Sequence, residues 1–359
     1  GLFDGASEPG VAGRGSTAEV AKHLRLAVVL VVNAAGLGHS VAALVQGFSG
    51  FDPDVGIAGL LLNNVGSERH AAILAEALEP LGLAIFGRLP RSPGMARPSR
   101  HLGLVQAGEA EDLEAFLERA ADLVEAHLDL DGLLATARPV EVRTVRPVPP
   151  LPPLGQRIAV ADDIAFRFAY PHVLQGWREA GAEILPFSPL ADEVPDRAAD
   201  AVYLPGGYPE LHAGRLAANA RFLHGLRQAA ARDALVYGEC GGYMVLGEAL
   251  IDQDGLGHPM AGLLAVETSF AARKLRLGYR HVVGRAASPW AGMAFRAHEF
   301  HYSHVVREAD APLFERLCDG AGFGARRRRV MGSYLHLIDQ ADGALRTSGI
   351  APESARTLL

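Results

Sequence analysis

Short, nearly continuous apolar segments alternate with helical segments along the first 130 residues of this chain, and this alternation is the strongest constraint on its fold. Apolar runs that end in small or polar residues are typical of parallel strands buried on both faces of a sheet. They occur at residues 26–33, 56–64 and 83–90. Apolar residues recur at helical spacing at residues 40–48, 68–82 and 109–130. The pattern predicts an α/β fold with a parallel sheet.

The same pattern returns after a proline-rich segment at residues 139–155. Predicted strands lie at residues 157–161, 182–188, 200–207 and 234–238, and predicted helices at residues 171–181 and 214–231. Beyond residue 260 the elements are β-like, at residues 274–283, 295–306 and 329–338. We therefore expect two doubly wound parallel-sheet domains, with bounds as follows: a first domain at 1–138, an extended linker at 139–155, a second domain at 156–345 and a tail at 346–359.

Composition excludes several classes of protein. The 359 residues carry a net charge of −7 without a basic stripe, so nucleic acid is not an expected partner. The longest apolar run, residues 26–32, is too short to span a bilayer, and the sequence predicts a cytoplasmic protein without a membrane partner. The two cysteines, Cys240 and Cys318, form no CxxC pair, so neither a disulfide framework nor a zinc site is expected.

Cys240 lies between the predicted strand at residues 234–238 and a helix that begins near Gly241. A nucleophile at such a turn projects from the carboxyl edge of a sheet and needs small neighbours. The helix N-terminus is expected to lower the pKa of the thiol, and the N–H of Gly241 to stabilise an oxyanion. The alternative is a buried cysteine that only packs, and Cys318 is interpreted in that way.

A second candidate donor loop follows the predicted strand at residues 200–207. Gly206 and Gly207 in this loop would let backbone N–H groups approach a substrate carbonyl. A base is also needed, and His336 follows a strand-like run late in the chain. The order of nucleophile and base is free, because such sites are defined by geometry. Cys240 and His336 are therefore the predicted catalytic residues.

Four segments, "ECGGYMVLG", "YLPGGYPELHAGRLAAN", "AHEFHYS" and "GSYLHLI", resemble the glutamine amidotransferase domain of the cobyrinic and hydrogenobyrinic acid a,c-diamide synthase family. The resemblance extends upstream to "GLFDG", "GSTAEVAKHL" and "RHLGLVQAGE" and covers essentially the whole chain. It implies a class I amidotransferase fold in the second domain. It also implies that Cys240 attacks the side-chain amide of L-glutamine, forms a glutamyl thioester and releases ammonia, with His336 as its partner.

Class I amidotransferases typically carry a glutamate two residues after this histidine, whereas the present chain has Ile338 there. We therefore assign no third member of the catalytic set from the sequence. His298 and His301 are three apart on a predicted strand, so they point to opposite faces and are not expected to bind a metal together. No metal ligands are predicted.

The first domain resembles an ATP-dependent synthetase domain related to dethiobiotin synthetase. The resemblance implies that ATP, with Mg²⁺, activates a carboxylate as an acyl phosphate. It implies that Asn63 reads adenine, with a strand-end cap as the alternative, and that Asp4 approaches magnesium or substrate, with a plain turn residue as the alternative. The 359 residues contain no G-x-x-x-x-G-K-[ST] motif, and the chain is expected to be an N-terminally truncated synthase.

The expected activity is ATP- and glutamine-dependent amidation of the a and c carboxylates of hydrogenobyrinic or cobyrinic acid in cobalamin biosynthesis. The expected partners are this macrocycle, L-glutamine and ATP, with a homodimer as one oligomeric option. Two alternatives stay open, a fragment that is only a glutaminase and an amidotransferase similar to cobyric acid synthase.

Overall fold

A computed structural model describes residues 1–6, 13–97, 105–110, 112–140, 150–286 and 288–341. Within it the chain divides into two compact units, Gly1–Val145 and Arg146–Leu359. The division falls inside the proline-rich segment at 139–155, of which residues 141–149 lie outside the described residues. The tail predicted at 346–359 also lies outside them. No helix in the described part of the chain is long and apolar enough to cross a bilayer.

The first unit contains a parallel sheet of three strands in the order β1-β2-β3. Its strands are β1 (Val28–Asn33), β2 (Ile57–Val65) and β3 (Ala84–Pro90). Its helices are α1 (Thr17–Leu24), α2 (Ser40–Gly50), α3 (Glu68–Leu78), α4 (Leu113–His127) and α5 (Leu130–Leu134), with 3-10 turns at Glu79–Leu81, Pro93–Met95 and Ala107–Glu109.

The middle strand of this sheet is the most buried. Leu60 and Leu62 of β2 are fully enclosed, and they belong to one apolar cluster with Val45 of α2 and Leu74 of α3. The Ser67 hydroxyl caps α3 by accepting a hydrogen bond from the backbone N–H of His70 at 3.1 Å. The expected parallel strands are present, but only β2 approaches burial on both faces: Val31 of β1 is 60% exposed, and β3 is only partly buried.

The second unit is larger, and most of its strands lie late in the sequence. Its helices are α6 (Pro171–Glu179), α7 (Ala213–Ala218), α8 (Ala220–Ala231) and α9 (Gly241–Leu246), with 3-10 turns at Pro189–Ala191 and Pro209–His212. Its strands are β4 (Arg157–Ala161), β5 (Glu183–Phe187), β6 (Ala201–Leu204), β7 (Leu235–Glu239), β8 (Ala249–Ile251), β9 (Gly257–Pro259), β10 (Val266–Ser269), β11 (Arg276–Gly284), β12 (Ala294–His301), β13 (His304–Glu308), β14 (Phe314–Arg316), β15 (Gly322–Phe323), β16 (Ala325–Arg327), β17 (Val330–Ser333) and β18 (Leu335–Ala341).

A six-stranded sheet in the order β16-β17-β7-β6-β4-β5 forms the centre of this unit. Its strands are parallel except for β16 at the edge. Alternate residues of β6 contribute to different apolar clusters: Val202 packs in the cluster that includes Leu226 of α8, and Tyr203 in the cluster that includes Trp177 of α6 and Phe295 of β12. The sheet is therefore covered on both faces, which confirms the α/β class.

The two remaining sheets combine the predicted β-like segments with five short strands that the sequence analysis did not predict, β8, β9, β10, β14 and β15. One is antiparallel, in the order β15-β14-β11-β12-β18, and the other has the order β13-β10-β8-β9. The segment predicted at 329–338 divides at Tyr334, so that β17 lies in the six-stranded sheet and β18 in the antiparallel one. This change of sheet brings His336 to the end of β7, as described below.

The helix predicted at 214–231 is also divided. Asn219 lies between α7 and α8, and its side-chain amide donates hydrogen bonds to the carbonyls of Pro189 at 2.8 Å and Leu190 at 3.2 Å. The backbone of Asn219 is not helical, with φ −77° and ψ 77°, so the helix is interrupted at this residue.

Candidate active site

Cys240 occupies the sharp turn between β7 and α9. Its backbone has φ 47° and ψ −103°, a combination that costs energy in any residue with a side chain. Two hydrogen bonds fix the turn: the N–H of Cys240 donates to the carbonyl of Ser333 at 2.8 Å, and the N–H of Met244 donates to the carbonyl of Cys240 at 3.1 Å. The geometry is that of a nucleophile held out on a strand-to-helix turn.

The glycines on either side of this turn are required by close packing. A Cβ on Gly242 would overlap the carbonyl of Leu204 at the end of β6. A Cβ on Gly238 would lie 2.6 Å from the carbonyl carbon of Gly242. The helix α9 can therefore begin directly against the neighbouring strand only because these positions lack side chains.

Gly206 marks the point at which the two predicted catalytic residues meet. The position that its Cβ would occupy lies 3.1 Å from Nε2 of His336 and 3.3 Å from Cβ of Cys240. The imidazole edge that carries Nε2 thus shares one small space with the cysteine side chain. This convergence joins the ends of β6 and β7 with β18, three strands that are far apart in sequence.

Gly207 and Gly241 bring two backbone segments into close approach beside the thiol. The position of a Cβ on Gly241 would lie 3.1 Å from the amide nitrogen of Gly207. A Cβ on Gly207 would overlap the carbonyl of Ala165. Of the three glycines predicted to supply oxyanion donors, Gly206, Gly207 and Gly241, the last two lie in adjacent backbone, and Gly206 lies beside the side chain of Cys240.

Burial controls the charge of the thiol. Cys240 is 4% exposed, and burial raises the pKa of its thiol well above the usual range, with a further increase from the charge of Glu210. The amide of Gly241 opposes this shift but is the weaker influence. The expectation that the helix N-terminus lowers the pKa of this cysteine is therefore wrong for the net shift, because α9 is only six residues long and the desolvation is greater.

His336 is neutral for the same reason. It is 3% exposed, and burial lowers the pKa of its imidazole to about 3, helped by the nearby His298 and His301. The ring of His298 lies 5.2 Å from that of His336, centroid to centroid. A neutral imidazole has one unprotonated ring nitrogen, so His336 is the candidate base for the thiol of Cys240.

Comparison with known proteins agrees with this geometry. Residues 157–343 match the model of the CobB/CobQ-like glutamine amidotransferase domain. A hydrogenobyrinate a,c-diamide synthase of Brucella anthropi is 56% identical over 345 residues, which cover 94% of this chain and 78% of that protein. Proteins with the same name from a Sinorhizobium species and from Rhodobacter capsulatus are 52% and 50% identical, over 96% and 94% of this chain and 80% and 78% of their own lengths.

The chain belongs to the hydrogenobyrinate a,c-diamide synthase family. The resemblance found in the sequence is thereby confirmed.

Glu239, the last residue of β7, is a further candidate site residue in this diamide synthase family member, and the sequence alone did not indicate it. Its carboxylate oxygen Oε2 lies 3.8 Å from Nδ1 of His336, and the residue is 3% exposed. The available signal was an acidic residue at the end of an otherwise apolar, buried strand, because charged residues are almost never fully buried without a partner.

The candidate residues of the first unit are not brought together. The side-chain oxygen of Asn63 accepts a hydrogen bond from the backbone N–H of Asn64 at 2.9 Å. The carboxylate of Asp4 is 83% exposed. Among the described residues, no recorded contact joins Asn63 to Asp4, and no group of three or more His, Cys, Asp or Glu side chains is placed to hold a metal ion.

A cavity of about 420 Å³ opens in the first unit, beside β3 and the start of α3. Its charged lining residues are Arg88, Arg91, Glu68 and Asp129, so the two arginines are balanced by two carboxylates. The lining of the cavity includes Val65, which lies two residues after Asn63 on β2.

Proposed function

We propose that this chain is a glutamine-dependent amidoligase that converts the a and c carboxylates of hydrogenobyrinate to amides in cobalamin biosynthesis. The substrate is inferred from the names of relatives that are 50–56% identical over most of the chain. The observation that carries the proposal is the convergence of Cys240 and His336 on Gly206. A homodimer and a cytoplasmic location stay predictions from the sequence.

The first chemical step forms a bond between Sγ of Cys240 and the side-chain carbonyl carbon of glutamine. Because the thiol is protonated at rest, its proton moves to Nε2 of His336 as the bond forms. The carbonyl oxygen becomes an oxyanion, which the N–H groups of Gly241 and Gly207 stabilise by hydrogen bonding. The negative charge that develops on this oxygen therefore lies beside backbone donors that are already in place.

The second step breaks the carbon–nitrogen bond. The protonated imidazole of His336 gives its proton to the leaving nitrogen, so that ammonia departs and a γ-glutamyl thioester remains on Cys240. Water then adds to the thioester, His336 removes a proton from it, and glutamate is released with the thiol restored.

The first unit is proposed to supply the activated acceptor. ATP would phosphorylate a carboxylate of the macrocycle, and ammonia would displace the phosphate from that acyl phosphate to give the amide. Asn63 is proposed to bind the adenine ring through its side-chain amide, which can both donate and accept hydrogen bonds. The described residues give Mg²⁺ no ready set of ligands, so no step is assigned to it and the role of Asp4 near Mg²⁺ or substrate stays a prediction.

The test is to incubate the natural gene product with glutamine, ATP and hydrogenobyrinic acid, and to follow the macrocycle by mass spectrometry. We expect the mass change of two carboxyl-to-amide replacements, dependent on both ATP and glutamine. A parallel reaction with cobyrinic acid measures the preference for the metal-free macrocycle. A rate of glutamine hydrolysis that is the same with and without ATP and either macrocycle, together with no amidation of either acid, would instead support an independent glutaminase.

A further inference from the structure

The position that carries a glutamate in typical class I amidotransferases lies in irregular backbone here. Ile338 occupies it, two residues after His336. The pairing of β12 with β18 skips this residue, because Ala297 lies opposite Leu337 and Arg296 opposite Asp339. The carbonyl of Ile338 accepts a hydrogen bond from Nε2 of His172 at 2.7 Å. The strand that bears His336 therefore provides no carboxylate beside it at this position.

A carboxylate reaches the imidazole from a different strand. Glu239 ends β7 and lies directly before Cys240, and its Oε2 is 3.8 Å from Nδ1 of His336. The opposite edge of the ring, with Nε2, faces the space beside Gly206 and Cys240. The imidazole is thus placed between the acid and the thiol, with one ring nitrogen toward each.

Three donors fix the carboxylate of Glu239. Oε2 accepts a hydrogen bond from the hydroxyl of Tyr203 at 2.8 Å, and Oε1 accepts one from the hydroxyl of Tyr237 at 2.9 Å. Oε1 also accepts from the backbone N–H of Leu337 at 3.1 Å, so the same group anchors the segment next to His336. Each carboxylate oxygen retains acceptor capacity beyond these bonds, and that of Oε2 is available to the imidazole.

The surroundings of Glu239 are otherwise apolar. A small cavity beside it is lined mainly by large apolar side chains, among them Leu151, Trp290 and Phe295. Burial raises the pKa of Glu239 to about 7, although its three hydrogen-bond donors act in the opposite direction. A buried ionisable group with such a displaced pKa, held next to the candidate base, is a functional arrangement rather than a packing choice.

We propose that Glu239 is the positioning residue for His336, accepting a hydrogen bond from Nδ1–H and so keeping Nε2 free to take the thiol proton. The proposal rests on the glutaminase chemistry proposed above. The 3.8 Å separation closes when glutamine binds, since hydrogen bonds of catalytic groups are commonly long before the substrate is present. The carboxylate also stabilises the imidazolium that forms during attack.

Other titratable groups surround this pair and belong in any account of its pH dependence. Tyr170 hydrogen bonds to Nδ1 of His298 at 3.0 Å, and burial raises the pKa of Tyr170 to about 12. Because the pKa of His336 is near 3, the ionisation that limits activity near neutral pH is that of Glu239. The groups that face Glu239, His336 or Cys240 are Tyr203, Tyr237, Tyr170, His298, His301, Glu299 and Glu210.

The first measurement is glutamine hydrolysis by Glu239→Gln. The amide donates where the carboxylate accepts, which forces the proton onto Nε2, so kcat should fall about 10²- to 10⁴-fold while KM for glutamine changes little. Glu308→Gln is the matched control, because Glu308 also accepts a hydrogen bond from a tyrosine, Tyr243, but does not face His336. Its kcat should stay within about threefold of the parent value.

Two further readouts separate positioning from a purely structural role. Nitrogen NMR of labelled histidine should show the proton of His336 on Nδ1 in the parent at pH 8 and on Nε2 in Glu239→Gln. Tyr203→Phe removes one donor that lowers the pKa of Glu239, so the acidic limb of kcat/KM, expected near pH 7 in the parent, should move to higher pH. Tyr203→Phe therefore still tests the proposal if Glu239→Gln folds poorly.

The proposal is overturned if Glu239→Gln retains its kcat, if the tautomer of His336 is the same in both proteins, or if Tyr203→Phe leaves the acidic limb unchanged. Failure of the glutaminase proposal has a different signature. In that case the parent itself would neither hydrolyse glutamine nor be labelled at Cys240 by 6-diazo-5-oxo-norleucine. The NMR measurement would still report on the contact between Glu239 and His336.

Discussion

The two units differ in how deeply their candidate residues are buried and in whether contacts link those residues. In the second unit, Cys240 and His336 are buried and converge on Gly206, and short backbone contacts define each position. In the first unit, Asp4 is largely exposed and no recorded contact among the described residues joins it to Asn63. A site whose parts are held by the fold reveals its chemistry without a ligand, whereas groups that meet only around a substrate do not.

The largest expected effect comes from replacing the candidate nucleophile of the second unit. Cys240→Ser should lower glutamine hydrolysis by about 10⁴-fold or more, because a hydroxyl is a much weaker nucleophile in the same geometry. Cys318→Ser is the matched control, since Cys318 is an exposed free cysteine and not the buried packing residue expected from the sequence. The rate of glutamate release measures both. Equal losses in the two variants would remove Cys240 from the mechanism.

A smaller loss is expected from crowding the convergence point. Gly206→Ala places a methyl group in overlap with Cε1 of His336 and 3.3 Å from Cβ of Cys240, so the imidazole or the backbone must move. A displacement of about 1 Å typically costs about 10²-fold in rate. Gly257→Ala is the control, because nothing lies within 4 Å of its added Cβ. Steady-state kcat at matched melting temperature measures the effect, and an active Gly206→Ala would contradict the assembled site.

The first unit should respond in a different assay. Asn63→Ala should raise KM for ATP about tenfold in the amidation reaction, as expected for the loss of one or two hydrogen bonds. Glutamine hydrolysis without ATP should be unchanged, because the candidate glutaminase residues all lie in the second unit. An equal KM for ATP in parent and variant would leave Asn63 as a simple strand-end residue.

The smallest expected effect is on stability. The pKa of His336 is about 3 in the folded chain against a usual 6.5, so the unfolded chain binds more protons between these values and stability falls as pH drops. The pKa of Glu239 is raised from 4.5 to about 7, so the folded chain binds more protons between these values. The contribution of Glu239 therefore makes stability rise as pH drops, but mainly above pH 4.5. Between pH 4.5 and 3.5, His336→Gln should therefore lose about 1 kcal/mol less stability than the parent, measured by urea unfolding.

The parallel strands of the second unit were predictable from the sequence because apolar runs such as β6 and β7 mark strands buried on both faces, whereas short strands such as β8 and β9 carry no such run. The change of sheet at Tyr334 was not, because that residue is buried and lies in an apolar stretch that continues on both sides. Periodicity along one segment cannot show which sheet each half joins.

The candidate pair, Cys240 and His336, was chosen from local features, namely the glycines around Cys240 and the family motif around His336. The setting of Glu239 was not, because it depends on a tyrosine from β6 and a backbone amide from β18. The thiol pKa was predicted with the wrong sign because burial is a tertiary property that the strand-to-helix turn does not reveal.

The irregular pairing at Ile338 has a practical consequence for protein engineering. A one-residue offset in a strand reverses which way the following side chains point, and a bulge re-aims the residue within it. A glutamate grafted at position 338 would therefore start from backbone of the wrong shape. Transplanting the conventional acid into this scaffold requires shortening the strand by one residue, not merely exchanging a side chain.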